Sequence, residues 1–584
     1  MKGRAYLKAI KKQSFMEGAA VLVIAHLVVK IIGACFKIPL ANILHETGMA
    51  YFSRAYNLYA AIFVMATAGL PVAVSKMVSE SLAKKNYAES KKILYSATIL
   101  LTIIGAIGTA VLFFGARFLC SGSPGSYLSI VTISPALLFI AILSAFRGYF
   151  QGHSNMIPTA YSEVIEAVSK LVIGLLGAYL LMSVSSEVAA AGAISGVTIG
   201  GLLALLFLVY FYFKNKNSNP LTDATKSRKI STIVVRLLLI AVPITIGAAV
   251  MSLTNVIDTF MINLRLSSIT VDESMFKTLT EFFGVSAMDV IIGENITSTA
   301  ADVMYGSYSG YAMSLFNLPP SIVTSISMSI VPAISAALAI KDRAQAKLLT
   351  ESSIRITTMF ALPCAIGLSV LSSPILICLY NNARAENSLS LLSLSIIFVC
   401  IVSVTTSILQ ASGKVFIPVI NMLIGGVVKA VSNYFLIAVP ELNIGGAPIS
   451  TFLCYFIIAT LNISAVMRVI KPNFNIIDFI IKPLISAVVM GIVVFSVYNL
   501  AALVLGCPEI SLNINFLTDI APVTPVFSAV RLKTIIALGV SIFVGVIAYV
   551  VTMGIVRGFF EDDIKMLPKG GKICRLMKKI RLLK

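Results

Sequence analysis

About fourteen apolar runs, each close to 20 residues long, follow one another along this 584-residue chain. They are centred near residues 28, 65, 105, 138, 172, 201, 246, 322, 365, 399, 426, 458, 491 and 544. That length is what a helix needs to cross the hydrocarbon of a bilayer. In hydrocarbon each backbone N–H and C=O must be satisfied by the chain itself, so only helices and closed barrels can span it. A barrel would show many short alternating strands, whereas these runs are long and continuous. The expected fold is therefore an all-α polytopic membrane protein. Composition agrees: 58% hydrophobic and 12% charged residues, with a mean hydropathy of +0.95, cannot cover a soluble domain, whose residues are about a quarter charged. Little chain remains for a soluble domain.

The runs form two similar copies, about 256 to 260 residues apart. VSESLAKKNYAESKKIL from Val78 returns as ISAALAIKDRAQAKLL from Ile334. YFQGHSNMIPTAYSEVIEAVSKLVIGLLGAYLL from Tyr149 returns as ILQASGKVFIPVINMLIGGVVKAVSNYFLIA from Ile408. Gln151 and Gln410, Pro158 and Pro418, and Lys170 and Lys429 then fall together after a one-residue gap. Each copy holds about six spans, so two bundles are expected to flank one central site, the arrangement by which transporters expose a midplane site to each side in turn. Two spans near residues 491 and 544 have no partner copy. The expected organisation is an N-lobe over residues 1–215, a C-lobe over 216–475, two appended helices over 476–557 and a basic tail over 558–584.

Lys and Arg in short loops stay on the cytoplasmic side. The N-terminal Lys2, Arg4, Lys8, Lys11 and Lys12 fall on one side with the loops after the second, sixth, eighth and twelfth spans, marked by Lys84, Arg228, Arg343 and Lys471. The opposite loop, about 264 to 305, is acidic, with Asp272, Glu281 and Glu294 among its residues. Both termini are expected in the cytoplasm of a multi-pass plasma-membrane protein. The basic start leads into an apolar run too long for a signal-peptide core. The net charge of +20 lies in these loops and in the tail GGKICRLMKKIRLLK, where anionic headgroups attract it, so nucleic acid is not the expected partner. Eight cysteines include no C-x-x-C pair, so neither a metal site nor a disulfide framework is signalled. His45 and His153 have no ligand spacing, and no phosphate-binding Walker A sequence offers ATP hydrolysis. An enzyme such as a membrane polymerase would need acids or histidines on an outer loop to act as base or hold metal, and the acidic loop reads as a solvated one. No cofactor is expected. Transport would be driven by Na+ or H+, by membrane potential or by substrate consumption, and the chain is expected to act as a monomer.

Four segments then carry a resemblance: K-x-x-G-x-x-x-K-I-P-L from Lys30 to Leu40, AGLPVAVSKMVSE from Ala68 to Glu80, FRGYFQGHSNMIPTAYSEVIEAVSKL from Phe146 to Leu171, and NVIDTFMI from Asn255 to Ile262. They resemble the stage V sporulation protein B and MurJ-like lipid II flippases, the polysaccharide flippase branch of the multidrug/oligosaccharidyl-lipid/polysaccharide exporter superfamily. The resemblance covers essentially the whole chain. It implies two six-helix lobes around a cationic cavity, with two added helices forming a groove for a polyprenyl tail, and a MurJ/MATE-like fold of about fourteen helices.

Charge inside the membrane is where chemistry would sit, since each such residue costs about 2.5 to 3.5 kcal/mol on insertion scales. His26, Lys30, Gly33 and Lys37 fall on one face of the first helix. Arg54 near the outer end of the second span and Arg236 near the inner end of the seventh extend this set of cations. Arg suits phosphate, and a lipid-linked pyrophosphate would need such a pocket; the bland reading is that Lys37 and Arg54 snorkel to the interface. No buried acid is expected before Glu80. In the fifth span, Glu163, Glu166 and Lys170 share a face, and the favourable Glu166-to-Lys170 order predicts an internal ion pair, the alternative being a charge-switching element. Lys429 holds the repeat-related place in the eleventh span, with Gly425 and Gly426 where Glu166 would be, so it is expected to face a substrate phosphate or an acid from another helix. Asp258 in the seventh span, with Asn255 one turn earlier, suits a hard cation or a proton relay, or else a structural partner of the cationic stripe. The resemblance implies a sodium site near the seventh and eleventh helices, with Asn421 and Asn433 as contributors. The function expected is movement of a polyprenyl-pyrophosphate-linked saccharide, above all lipid II, from the cytoplasmic to the outer leaflet by alternating access. A cation-coupled drug exporter of the same superfamily is the runner-up.

Overall fold

The computed structural model describes residues 15–67, 69–84, 86–153, 155–215, 228–510, 528–561 and 563. The basic N-terminal residues, most of the loop after the sixth span and the tail beyond residue 563 lie outside the described residues. What is described is nearly all helix. The helices are α1 (Phe15–Thr67), α2 (Leu70–Ala83), α3 (Tyr87–Leu119), α4 (Tyr127–Gly152), α5 (Ile157–Leu181), α6 (Ser186–Asn215) and α7 (Ile230–Leu266). A loop follows with α8 (Glu273–Lys277) and α9 (Ser298–Gly306), tied by backbone bonds such as Val271 N–H to the Glu294 carbonyl, 2.8 Å. Then come α10 (Met313–Phe316), α11 (Leu318–Ala339), α12 (Arg343–Val370), α13 (Ser372–Tyr380), α14 (Glu386–Leu394) and α15 (Ile396–Ala411). The last are α16 (Phe416–Leu436), α17 (Gly446–Val469), α18 (Lys482–Leu505) and α19 (Ser528–Ile555).

The 53-residue run of α1 is two helices, because His45 interrupts it at φ 55, ψ −165. The Phe36 and Phe52 rings lie 5.9 Å apart, although a straight helix would part those residues by about 24 Å. The chain therefore folds back at His45, and the first two expected spans are the two arms of one hairpin. A non-glycine residue held there stores strain of about 1–3 kcal/mol. By length and apolarity ten stretches among the described residues can cross a membrane, or eleven with the pair α14 and α15, bent by 41°. Val28–Val64 counts as one of those ten despite its fold. Each of the fourteen centres read from the sequence falls inside a helix.

Burial shows what surrounds these helices. On α3, Ile93, Ala97, Leu101, Gly108, Leu112 and Ala116 are buried at helical spacing, while Ile99, Ile103, Ile107, Val111, Phe114 and Phe118 form an exposed apolar row. A row of that size facing water would be unfavourable at about 25 cal/mol per Å², so it faces lipid.

Contacts divide the chain into two units, Met1–Phe260 and Met261–Lys584. The division falls inside α7, whereas the repeat places the lobe boundary ahead of it. In the first unit, close glycine packing sets the helix crossings. A Cβ on Gly177 would meet the Gly192 carbonyl at 2.5 Å, and one on Gly192 would meet the Gly177 carbonyl at 2.6 Å, so α5 and α6 touch backbone to backbone. Gly148 of α4 likewise abuts the Pro71 carbonyl of α2. These are the small-residue contacts that let membrane helices approach.

In the second unit, α18 lays Met490, Val494, Tyr498 and Ala502 against Leu371, Ala537 and Leu538. The segment after α19 is clasped to the same unit. Arg355 of α12 grips Asp563 through Nε and Nη2, both at 2.8 Å, with its guanidinium 4.4 Å from the Phe560 ring.

Candidate functional site

The charges of the first unit meet on α1, α4 and α5. On the first arm of α1, Lys30 is exposed and Lys37 half-buried, while His26 Nδ1 lies 3.5 Å from Glu163 Oε2 on α5. The second arm carries aromatic rings one turn apart. Phe52 and Tyr56 are parallel at 5.9 Å, and Tyr59 and Phe63 at 5.8 Å. Lys170 of α5 reaches this aromatic bed, its Nζ 4.4 Å from the Tyr56 centroid and 5.0 Å from that of Phe36.

The predicted Glu166–Lys170 ion pair does not form. Glu166 Oε2 instead accepts from Arg147 Nη2 of α4 at 2.9 Å, and Arg147 Nε donates to Ser162 Oγ at 3.0 Å. Spacing along one helix cannot reveal a stronger competitor on its neighbour, and Arg offers two directed donors where Lys offers a point charge. Lys170 keeps no carboxylate within ion-pair reach among the described residues.

Arg54 is 1% exposed, so it lies inside the protein. Glu46, at the base of the hairpin, is 6% exposed, which corrects the expectation that no buried acid precedes Glu80. The fold at His45 turns that helix start inward, and nothing in the local sequence announces it. Arg236 is engaged with Glu80 of α2 at 2.7 Å and Arg228 with Glu89 of α3 at 3.1 Å. Glu89 is also held by Asn86, whose side chain accepts from its N–H and donates to its carboxylate, each at 3.0 Å. Arg228 and Arg236 thus fasten the start of α7 to α2 and α3.

Asp258 on α7 is 3% exposed, but Asn255 is exposed, and the residues sharing its burial are Thr254 and Thr259. Thr259 Oγ1 donates to the Asn255 carbonyl at 2.8 Å and accepts from Asn57 Nδ2 at 3.2 Å. The i−4 position, Thr254, was the better sequence signal than the i−3 position. Among the described residues no three His, Cys, Asp or Glu converge as a metal site.

In the second unit, α16 buries Pro418, Asn421, Gly425, Lys429 and Asn433 along one stripe, with Lys429 only 2% exposed. A Cβ at Gly425 would come within 2.3 Å of Ile458, which accounts for glycine where the first copy has Glu166. Asn421 Nδ2 donates to Asn462 Oδ1 at 2.8 Å, and Asn462 Nδ2 to Thr406 Oγ1 at 3.2 Å. Asn421 is therefore engaged in a network internal to α15, α16 and α17. Arg147, Tyr56 and Phe36 are the site residues the sequence reading did not single out. Arg147 stood inside a segment already recognised, but its partner is on another helix.

Long lipid-facing helices that carry cations among them define a polytopic membrane protein with charge inside its helical bundle. The fold is that of two solved transporter types. The structure described as "Lipid II flippase MurJ, inward closed conformation" superposes with a TM-score of 0.63 at 16% identity, covering 92% of this chain and 98% of that one. An inward-facing multidrug resistance MATE family transporter of the MOP superfamily gives a TM-score of 0.61 at 14% identity, covering 77% of this chain and 99% of that one. The chain belongs to the polysaccharide biosynthesis protein family, which matches residues 15–338, and the MatE family matches residues 307–435. Similar proteins of Bacillus subtilis (strain 168) include the uncharacterized membrane protein YabM, 25% identical with 98% of each chain covered. Stage V sporulation protein B is 26% identical over 80% of this chain and 86% of its own. Lipid II flippase MurJ is 25% identical over 75% and 80%. The chain is thus a multi-pass membrane protein of the polysaccharide biosynthesis protein family, with a fold that solved transporters share.

Proposed function

We propose that the protein moves a polyprenyl-pyrophosphate-linked saccharide, most simply lipid II, from the cytoplasmic to the outer leaflet by alternating access, with both termini cytoplasmic. The observation that carries this reading is Lys170, whose ammonium lies on the Tyr56 and Phe36 rings with no carboxylate in reach among the described residues. A cation–π contact is worth about 0.5–2 kcal/mol and leaves the charge unneutralised. A pyrophosphate withdrawn from water requires such cations, because an unpaired ion in low dielectric is penalised by several kcal/mol. Lys30, Lys37 and Arg54 on the adjoining hairpin supply further positive charge. Support also comes from relatives whose names specify a lipid II flippase and a sporulation protein. The MurJ structure accounts for 92% of this chain where the inward-facing MATE structure accounts for 77%.

The MatE match over residues 307–435 favours, as a second reading, a cation-coupled exporter of drugs. Depletion of the protein separates the two. A flippase should leave one lipid-linked saccharide accumulated in the inner leaflet, and its identity names the substrate, whereas an exporter should change drug susceptibility alone. Replacing Lys30 or Arg54 with Gln should abolish complementation while membrane abundance holds, and Glu at either position should be worse. Normal activity of both Gln variants would remove the cationic pocket from the argument.

A further inference from the structure

We propose that Arg147 is a positioning residue: by holding the Glu166 carboxylate, it keeps Lys170 free of its natural partner and available to an anionic group. Glu followed four residues later by Lys is the favourable order for a pair on one helix, so Glu166 and Lys170 would join in the absence of a competitor. Arg147 supplies that competitor from α4. Its Nη2 donates to Glu166 Oε2 at 2.9 Å while its Nε donates to Ser162 Oγ at 3.0 Å. Ser162 is fully buried and its hydroxyl proton is committed to the Thr159 carbonyl at 2.7 Å, which leaves a lone pair for Arg147. The guanidinium is thus fixed at two points, with a side chain only 15% exposed. A charge-assisted, two-point contact of this kind prevails over a single flexible ammonium. The other acid of α5, Glu163, faces His26 at 3.5 Å. Both carboxylates of the helix are therefore directed away from Lys170, whose ammonium lies on Tyr56 and Phe36.

Only the identity of the anion rests on the proposed function; the positioning rests on the geometry, and the two are tested separately. Acylation of the full chain in detergent by acetic anhydride, read by mass spectrometry on the peptide that contains Lys170, reports whether its amine is held by a carboxylate. In Arg147→Gln, Glu166 is released to Lys170, and acylation of Lys170 should fall by about tenfold, the effect of one carboxylate neighbour. In Arg147→Gln with Glu166→Gln there is no carboxylate to capture it, and reactivity should return to the wild-type level. Arg147→Lys, which retains a cation for Glu166, should stay near wild type and guards against loss of folding in the Gln variant. Complementation should follow the same order, lost in the single Gln variant and regained at least in part in the double. Unchanged Lys170 reactivity in Arg147→Gln, or no recovery in the double variant, overturns the proposal. Inorganic pyrophosphate then tests the substrate reading, since it should protect Lys170 of the wild-type protein from acylation. If the variants behave as stated and pyrophosphate gives no protection, the positioning stands and the pyrophosphate reading falls.

Discussion

Asp258 shows how one residue joins sequence cost to function. A carboxylate buried to 3% in a membrane helix is retained only with a proton, a cation or an ionic partner to offset its desolvation. If it serves coupling, Asp258→Asn should preserve shape and substrate binding, slow net flipping, and flatten the dependence on Na+ or pH in proteoliposomes, with Asp258→Glu keeping part of the activity. Unchanged ion dependence in Asp258→Asn would make it a structural partner instead. His153, just beyond the end of α4, carries a different signature. Burial pushes its pKa below the usual histidine value, against the smaller opposing effect of the Tyr149 carbonyl, 3.0 Å from Nδ1. The unfolded chain then binds the proton more readily than the folded one, so stability should fall as pH drops from about 7 through the ordinary histidine pKa near 6.5. Thermal melting in detergent across that window should show the slope, and His153→Gln should flatten it. His153 was visible in the sequence as a histidine without ligand spacing, but its burial against Tyr149, ring centroids 4.2 Å apart, was not.

At the scale of elements, the α5 and α6 crossing depends on glycines whose absent side chains are the point. Gly177 and Gly192 face each other's carbonyls at 2.5 and 2.6 Å from where a Cβ would stand, and backbone cannot give way as a flexible side chain does. Gly177→Ala should therefore destabilise by about 1–3 kcal/mol, read as a lower melting temperature of the detergent-solubilised protein. Gly426, with nothing within 4 Å of its added Cβ, is the control: Ala there should be neutral or stabilise by up to about 1 kcal/mol, as expected for glycine in a helix interior. The glycines were legible in the sequence, and their partners were not. The same holds for the hairpin in α1. Two apolar runs predicted two spans, yet the turn between them falls on His45, which is neither Gly nor Pro, and only the packed rings of Phe36 and Phe52 show the chain folded back.

For the whole molecule, the appended pair α18 and α19 is the feature that bears on the choice between flippase and exporter. Deleting everything after residue 475 should leave both repeat copies inserted and abolish flipping, measured by complementation alongside membrane abundance. The deletion is best made with Arg355→Met, because it removes Asp563, and a buried Arg355 left unpaired would itself cost about 3–5 kcal/mol. Retained flipping by this truncation would show that the pair is not needed as a groove for the polyprenyl tail, and the pair would then no longer separate flippase from exporter. A helical membrane protein, the positions of its apolar helices and its two similar copies were all legible in the residues, as were the cations Lys30, Lys37, Arg54, Lys170 and Lys429, whereas Arg147 and Glu46 were not. Hydrocarbon permits few backbone solutions, and each apolar run must satisfy its own hydrogen bonds. It took helix packing to show that Glu166 joins Arg147 and leaves Lys170 on Tyr56 and Phe36, that Glu46 is buried, and that Thr254 rather than Asn255 shares the burial of Asp258. Helical periodicity tells which residues share a face, but the neighbour that face meets is set by the packing of other helices.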